Sequence, residues 1–178
     1  MRNIRMKLIE KLITGNRKFL HTSDKTLLKH TTKDGQHPYA IVVCCSDSRV
    51  IPEQIFSASI GDLFVIRVAG NVLDNHQLGS IEYAAAHLGC SLIVMLGHTH
   101  CGAVDAALSG HTDGFISYIT DDIREAIGNE TDPWKAVRLN VQHGVQRIRD
   151  EFAEHTEIKD ITILGAVYDI ESGTVEWL

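Results

Sequence analysis

Two short segments carry the residue types best suited to chemistry. Cys45-Ser46-Asp47-Ser48-Arg49 alternates a thiol, a carboxylate and a guanidinium, and Gly97-His98-Thr99-His100-Cys101-Gly102-Ala103 places an imidazole three residues before a second thiol. If the chain stays extended past Cys45, side chains 45, 47 and 49 share one side, and Cys44 points the other way into the core. The spacing of His98 and Cys101 puts both on one side of a turn, whereas the adjacent pair His100 and Cys101 converges less easily. Cys101 also precedes a short helical stretch, Ala103 to Leu108, whose amino-terminal dipole favours a thiolate. Two thiolates and one imidazole match zinc in softness, and three protein ligands with an open fourth position is the catalytic pattern. Taken singly, each Cys or His is more commonly a core or surface residue. The pairing of the two segments, each after its own apolar run, is what carries the zinc reading.

Those runs define the elements that must position the site. Tyr39–Cys44, Leu63–Val68, Leu92–Leu96 and Ile161–Val167 are short, rich in Val and Ile, and read as buried parallel strands. Leu78, Ile81, Ala85 and Leu88 form a helical stripe ended by Gly89. Asp132 as N-cap and Pro133 in the first turn open a longer helix, along which Trp134, Val137, Val141, Val145, Ile148 and Phe152 recur. Glu171-Ser172-Gly173 turns the chain into a last, antiparallel strand, Thr174–Leu178. The expectation is a three-layer α/β domain with a mostly parallel central sheet and flanking helices, residues 1–178 forming one domain. Both chemical segments then lie at carboxyl ends of strands, where open α/β sheets place their sites. Residues 22–37 read as a polar connector. Before it, Ile4, Leu8 and Leu12 mark an amphipathic N-terminal helix, residues 1–22, that docks on its own fold or on a partner subunit.

Composition narrows the function classes. With 23 acidic against 17 basic residues, a net charge of −6 argues against a nucleic-acid surface. No apolar run has the length of a membrane span. The basic amino terminus lacks an apolar h-region and a cleavage site, so a secretory signal is not expected. The 4 cysteines, two of them adjacent, do not form a disulfide framework, which makes a reducing, cytoplasmic location the expectation. No Gly-x-Gly-x-x-Gly follows the first strand, so a dinucleotide-binding domain is set aside.

Four motifs together resemble the beta-class carbonic anhydrases: Cys45-Ser46-Asp47-Ser48-Arg49-Val50, Arg67-Val68-Ala69-Gly70-Asn71, Gly79-Ser80-Ile81-Glu82-Tyr83-Ala84, and the segment 97–103. The likeness runs from Gly15-Asn16 to the last strand. It implies a zinc enzyme that reversibly hydrates carbon dioxide to bicarbonate and a proton by zinc-bound hydroxide. By this resemblance Cys45, His98 and Cys101 bind zinc, and Asp47 and Arg49 form the active-site dyad, with Asp47 a possible fourth ligand in a closed form. The plant-like type of this family has a Gln nine residues before the first zinc Cys, and a Phe and a Tyr lining the pocket. Gln36, Phe64 and Tyr83 occupy those positions. The bicarbonate-inhibited type has a Trp three residues before that Cys, where this chain has Val42, although Arg67 and Tyr168 match other parts of its triad. The resemblance therefore implies an open, plant-like site, in which Gln36 donates to the developing oxyanion. It also implies homodimers or larger assemblies, in which Gln36, Phe64 and Tyr83 are supplied across the interface and the N-terminal helix embraces the partner. His100 is placed as a hydrogen-bond partner of the site or a proton relay. His21, His30, His111 and His155 read as surface residues. Two alternatives remain: hydrolysis of carbonyl sulfide or carbon disulfide on the same zinc set, and a noncatalytic zinc module closed by Asp47.

Overall fold

The structure is a computed structural model that describes residues 2–153 and 160–178. His155 lies outside the described residues. The chain forms two compact units, residues 1–36 and 37–178. The first consists of α1 (Arg2–Thr22) and α2 (Lys25–Asp34). Helix α1 leaves Ile4, Leu8, Ile9, Leu12, Ile13 and Phe19 exposed. The polar connector read from the sequence is itself helical: Asp24 caps α2, its Oδ1 accepting from the backbone N–H of Thr26 at 2.7 Å and Leu27 at 3.2 Å. Gly35, at φ +80°, terminates it. The cap and the glycine were readable, but with only Leu27 and Leu28 as apolar residues no stripe announced a helix.

The second unit is built on a five-stranded sheet in the order β2-β1-β3-β4-β5. Strands β1 (Ala40–Cys44), β2 (Leu63–Arg67), β3 (Leu92–His98) and β4 (Thr162–Tyr168) are parallel, and β5 (Val175–Trp177) is antiparallel to β4. Alternation along the strands divides the sheet into two faces. Ile41, Val43, Ile93, Met95 and Val167 enter the larger core, and Val42, Cys44, Val94, Leu96 and Ala166 the smaller.

The expected layers are unequal. The larger face is covered by α4 (Asn75–Leu88), α5 (Gly102–Leu108), α6 (Ile116–Ile127) and α7 (Pro133–Phe152), which contribute Ile81, Val104, Ile123, Val141 and Ile148 to that core. Among the described residues of this unit, the smaller core receives Ile55 of the short α3 (Pro52–Ile55), with Val50, Phe56, Tyr168 and Val175 around it. Strand β2 is an edge strand, only half-buried over Leu63–Val65 and exposed at Arg67, so it is not the fully buried strand its composition predicts. Helix α6, not expected from the sequence, buries Thr120, Ile123 and Ile127 at helical spacing.

The helix starts follow from capping chemistry. Asp74 and Gln77 form a reciprocal capping box on α4, and Gly89, left-handed at φ +72°, ends it. On α7, Asp132 accepts from the Lys135 N–H at 2.9 Å, and Pro133 occupies the first turn. The buried stripe of α7 begins at Ala136 and Val137, while Trp134 stays 42% exposed.

Helix α7 lies so close to the sheet that Gly97 of β3 has no room for a side chain. A Cβ there would meet Val141 Cγ2 at 2.5 Å and Val137 Cγ1 at 3.3 Å. Gly97→Ala is therefore expected to destabilise the fold by about 1–3 kcal/mol, the usual cost of overpacking, read as a lower urea midpoint. A midpoint equal to wild type would show that α7 can retreat without cost.

Candidate metal centre

Parallel pairing brings three strand ends together. Cys44 at the end of β1 pairs with Arg67 of β2 on one side and Leu96 of β3 on the other. Cys45 just beyond β1, the tight turn Ala69–Asn71 after β2, and His98, the last residue of β3, with its following loop form one cluster. The ligand atoms of Cys45, His98 and Cys101 lie within 4.8 Å of one another. All three residues are buried, His98 completely. Cys45 and Cys44 face opposite cores, as the alternation predicts.

The chain does not remain extended after Cys45. Residues 47–50 form a turn closed by the Val50 N–H donating to the Asp47 carbonyl at 3.0 Å. The grouping of Asp47 and Arg49 instead comes from direct pairing. Arg49 Nε donates to Asp47 Oδ1 at 2.9 Å and Nη2 to Oδ2 at 2.7 Å, a bidentate grip, while the Arg49 backbone N–H also reaches Oδ1 at 3.0 Å. Arg49 Nη2 further donates to the His100 carbonyl at 3.0 Å, tying the loop after β1 to the loop after β3. The guanidinium beside Asp47 holds its carboxyl well below the usual carboxylate range.

The donor set suits a zinc ion. His98 Nδ1 faces the Thr99 carbonyl at 2.9 Å and so carries the proton, which leaves Nε2 as an acceptor with its lone pair free. Among the described residues that buried Nε2 has no hydrogen-bond partner, an omission that costs about 1–3 kcal/mol unless a cation fills it. Cys45 Sγ accepts from the backbone N–H of Gly70 at 3.3 Å and of Asp47 at 3.4 Å. The neighbouring Cys101 thiol, above all, and then the backbone N–H groups of Asp47 and Gly70, draw the Cys45 thiol toward its thiolate, against the cost of burial. Cys101 is held up by the Cys45 sulfur beside it and by its own burial. The two adjacent sulfurs thus favour sharing one proton, and a divalent cation held between them would let both ionise. Cys44, by contrast, is pushed up to about 12 by burial and is an inert core thiol.

The structure pairs Phe64 with Tyr83, ring centroids 6.2 Å apart, and Tyr83 with His87, centroids 5.6 Å apart, both pairs tilted. Gln36 closes the first unit and is exposed, so it belongs to a different unit from the cysteines and His98. Val42 is buried in the smaller core with Tyr168 packed against it. Arg67 spends its guanidinium on loop carbonyls, donating from Nη2 to Asp47 and Val50 at 2.8 Å each. His100 takes a left-handed conformation, φ +54°, with its side chain exposed and Nε2 3.7 Å from Glu171. His21, His30 and His111 are exposed, as expected.

Two supports of the site were not found in the sequence. One is Arg67 as a clasp on the Asp47–Val50 turn. The other is Asp169, which accepts from Thr99 Oγ1 at 3.2 Å and Ser172 Oγ at 2.7 Å, and so anchors the β4–β5 turn beside His98. The only signal for it was the Asp-x-x-Ser spacing of a side-chain-capped turn.

Comparison with known proteins gives the family. The sequence profile described as "Carbonic anhydrase" matches residues 40–175. "Carbonic anhydrase 2" of Mycobacterium tuberculosis is 38% identical over 159 residues, covering 85% of this chain and 73% of that protein. Among solved structures, the beta-carbonic anhydrase CcaA superposes with a TM-score of 0.85 at 27% identity, over 97% of this chain and 92% of that one. One of two carbonic anhydrases of Sordaria macrospora, described as tetrameric, superposes with a TM-score of 0.72 at 26% identity, over 100% of this chain and 98% of that one. The chain belongs to the carbonic anhydrase family, in its beta class.

Proposed function

We propose that this chain hydrates carbon dioxide reversibly to bicarbonate and a proton, with zinc held by Cys45, His98 and Cys101. The observation that carries the reading is the buried, unpartnered His98 Nε2 converging with two thiols beside a clamped carboxylate. Zinc bound there supplies the Lewis acidity that ionises water near neutral pH. The two thiolates bring two negative charges to the site and temper that acidity, so activity rises with pH.

The protein's own groups do the positioning. Asp47 keeps unused lone pairs on both oxygens, and with its carboxyl ionised it accepts the proton of the attacking oxygen and aims that oxygen at carbon. Arg49 fixes Asp47 in that orientation and restrains it from swinging onto the metal. Phe64 and Tyr83 provide an apolar wall for a linear, nonpolar substrate. Gln36, supplied across a subunit interface, donates its amide N–H to the oxygen on which charge develops.

Residues 1–178 act as one carbonic anhydrase domain with residues 1–22 as an arm. The exposed apolar residues of α1 support its docking on a partner subunit, and the tetrameric Sordaria macrospora relatives support an oligomer in which the pocket is shared across a dimer interface. Val42, in place of Trp, supports an open site of the plant-like type. Four free cysteines support a cytoplasmic location.

The test is oxygen-18 exchange between labelled bicarbonate and water, with zinc measured on the same sample. About one zinc per chain and rapid label loss are expected. Bound zinc without exchange would identify a noncatalytic module. Gln36→Ala is expected to lower kcat/KM by an amount corresponding to about 2.7–4 kcal/mol, the range for an oxyanion donor, with zinc content and thermal midpoint unchanged. Unaltered kinetics would remove Gln36 from the site.

A further inference from the structure

Gly70 sits in the tight turn between β2 and α4, where the chain takes two left-handed residues in succession, Gly70 at φ +67° and Asn71 at φ +46°. The turn is pressed into the helical layer: a Cβ on Gly70 would meet Ile123 Cδ1 of α6 at 2.8 Å and Ala103 Cβ of α5 at 3.0 Å. Both polar groups of Gly70 are engaged. Its N–H donates to Cys45 Sγ at 3.3 Å, and its carbonyl accepts from Asn140 Nδ2 at 2.8 Å. Asn140 comes from α7, 70 residues away in sequence, and is buried at 5% exposure. A polar amide on the buried stripe of a helix is costly unless it satisfies a specific partner, and here that partner is the residue touching the metal-site sulfur.

We infer that Asn140 is a positioning residue of the metal centre: by gripping the Gly70 carbonyl it holds the Gly70 N–H on the Cys45 sulfur. With its N–H and C=O both held, Gly70 cannot rotate, and its donor stays aimed whether or not a cation is bound. A hydrogen bond to a thiolate ligand draws charge from sulfur and fixes its remaining lone pairs toward the metal. The clamp thus acts from the helical layer, through one residue, on a ligand that Asn140 never touches. This inference rests on the proposal that Cys45 is a zinc ligand, and extends it to a residue outside every motif that defines the site.

The test uses the full chain loaded with cadmium-113 and read by NMR. In the wild type, the Gly70 amide proton is expected to couple to cadmium across the sulfur, and the Asn140 side-chain nitrogen to the Gly70 carbonyl carbon. In Asn140→Asp, which keeps the shape but removes the donor, the Gly70–cadmium coupling is expected to vanish and the zinc dissociation constant to rise about tenfold or more. Asn140→Ala, which removes the donor without adding charge, is read in the same way if the aspartate form does not fold. Absence of either coupling in the wild type overturns the inference. So does a variant whose urea midpoint falls while zinc affinity and the Gly70 coupling stay at wild-type values, since that is a packing role alone. A wild-type chain that binds no cadmium through Cys45 overturns the ligand assignment as well, whereas cadmium on Cys45 without the Gly70 coupling leaves the ligand assignment standing and removes Asn140.

Discussion

Arg49→Ala is expected to reduce carbon dioxide hydration about a hundredfold, the penalty for a reacting group displaced by roughly an ångström, while zinc remains fully bound. Arg49 is not a metal ligand. Its role is to hold both Asp47 oxygens, at 2.9 and 2.7 Å, and the His100 carbonyl at 3.0 Å. Without it the carboxylate turns freely and competes for the open position on the metal. Arg49→Lys restores little, because one ammonium cannot reproduce a planar two-point grip. The pH dependence has a definite sign. The Asp47 carboxyl is depressed by Arg49, so it stays ionised as pH falls through the ordinary carboxylate range, and the ion pair stabilises the fold above that range and is lost only below it. The rise of activity with pH therefore does not report Asp47 in the wild type. In Arg49→Ala the Asp47 carboxyl returns toward its usual value, and acid tolerance of the fold declines. Near-normal hydration rates in the alanine variant would contradict the dyad.

Cys45→Ser, His98→Ala and Cys101→Ser should each abolish hydration and lower zinc content, whereas Cys44→Ser and Cys90→Ser leave both largely intact. The contrast follows from placement. Cys44 lies in the opposite core, and Cys90 donates to the Pro38 carbonyl at 2.8 Å, away from the cluster. Removing zinc from the wild type should also destabilise it. The bound ion contributes about 2.7 kcal/mol when free zinc is a hundredfold above its dissociation constant, and its loss leaves His98 Nε2 buried without a partner. Metal analysis and urea midpoints with and without a chelator check both statements. Zinc lost from Cys44→Ser but kept in Cys45→Ser would reverse the assignment of the two faces.

How far the sequence disclosed this molecule varied with the range of the interactions involved. The parallel strands were legible because buried strands leave apolar runs, and α4 and α7 because their caps and stripes are local. The two-faced alternation of Cys44 and Cys45 was legible for the same reason. The sheet order was not, since pairing β1 between β2 and β3 depends on contacts distant along the chain. Helix α2 was hidden by its polar composition, and α6 went unread although Thr120, Ile123 and Ile127 mark its buried side. The turn over 47–50 replaces the expected extended segment, and the carboxylate and guanidinium pair within it. Arg67, Asn140 and Asp169 were invisible in isolation, as each is defined by a backbone or side-chain partner far away in sequence.

The most direct measurement is stopped-flow hydration of carbon dioxide by the zinc-loaded chain across pH, with Cys45→Ser and His98→Ala in parallel. Rates that rise with pH in the wild type and fall to the uncatalysed level in both variants are the predicted result. A zinc-replete wild-type chain that produces no hydration above background at any pH would contradict it.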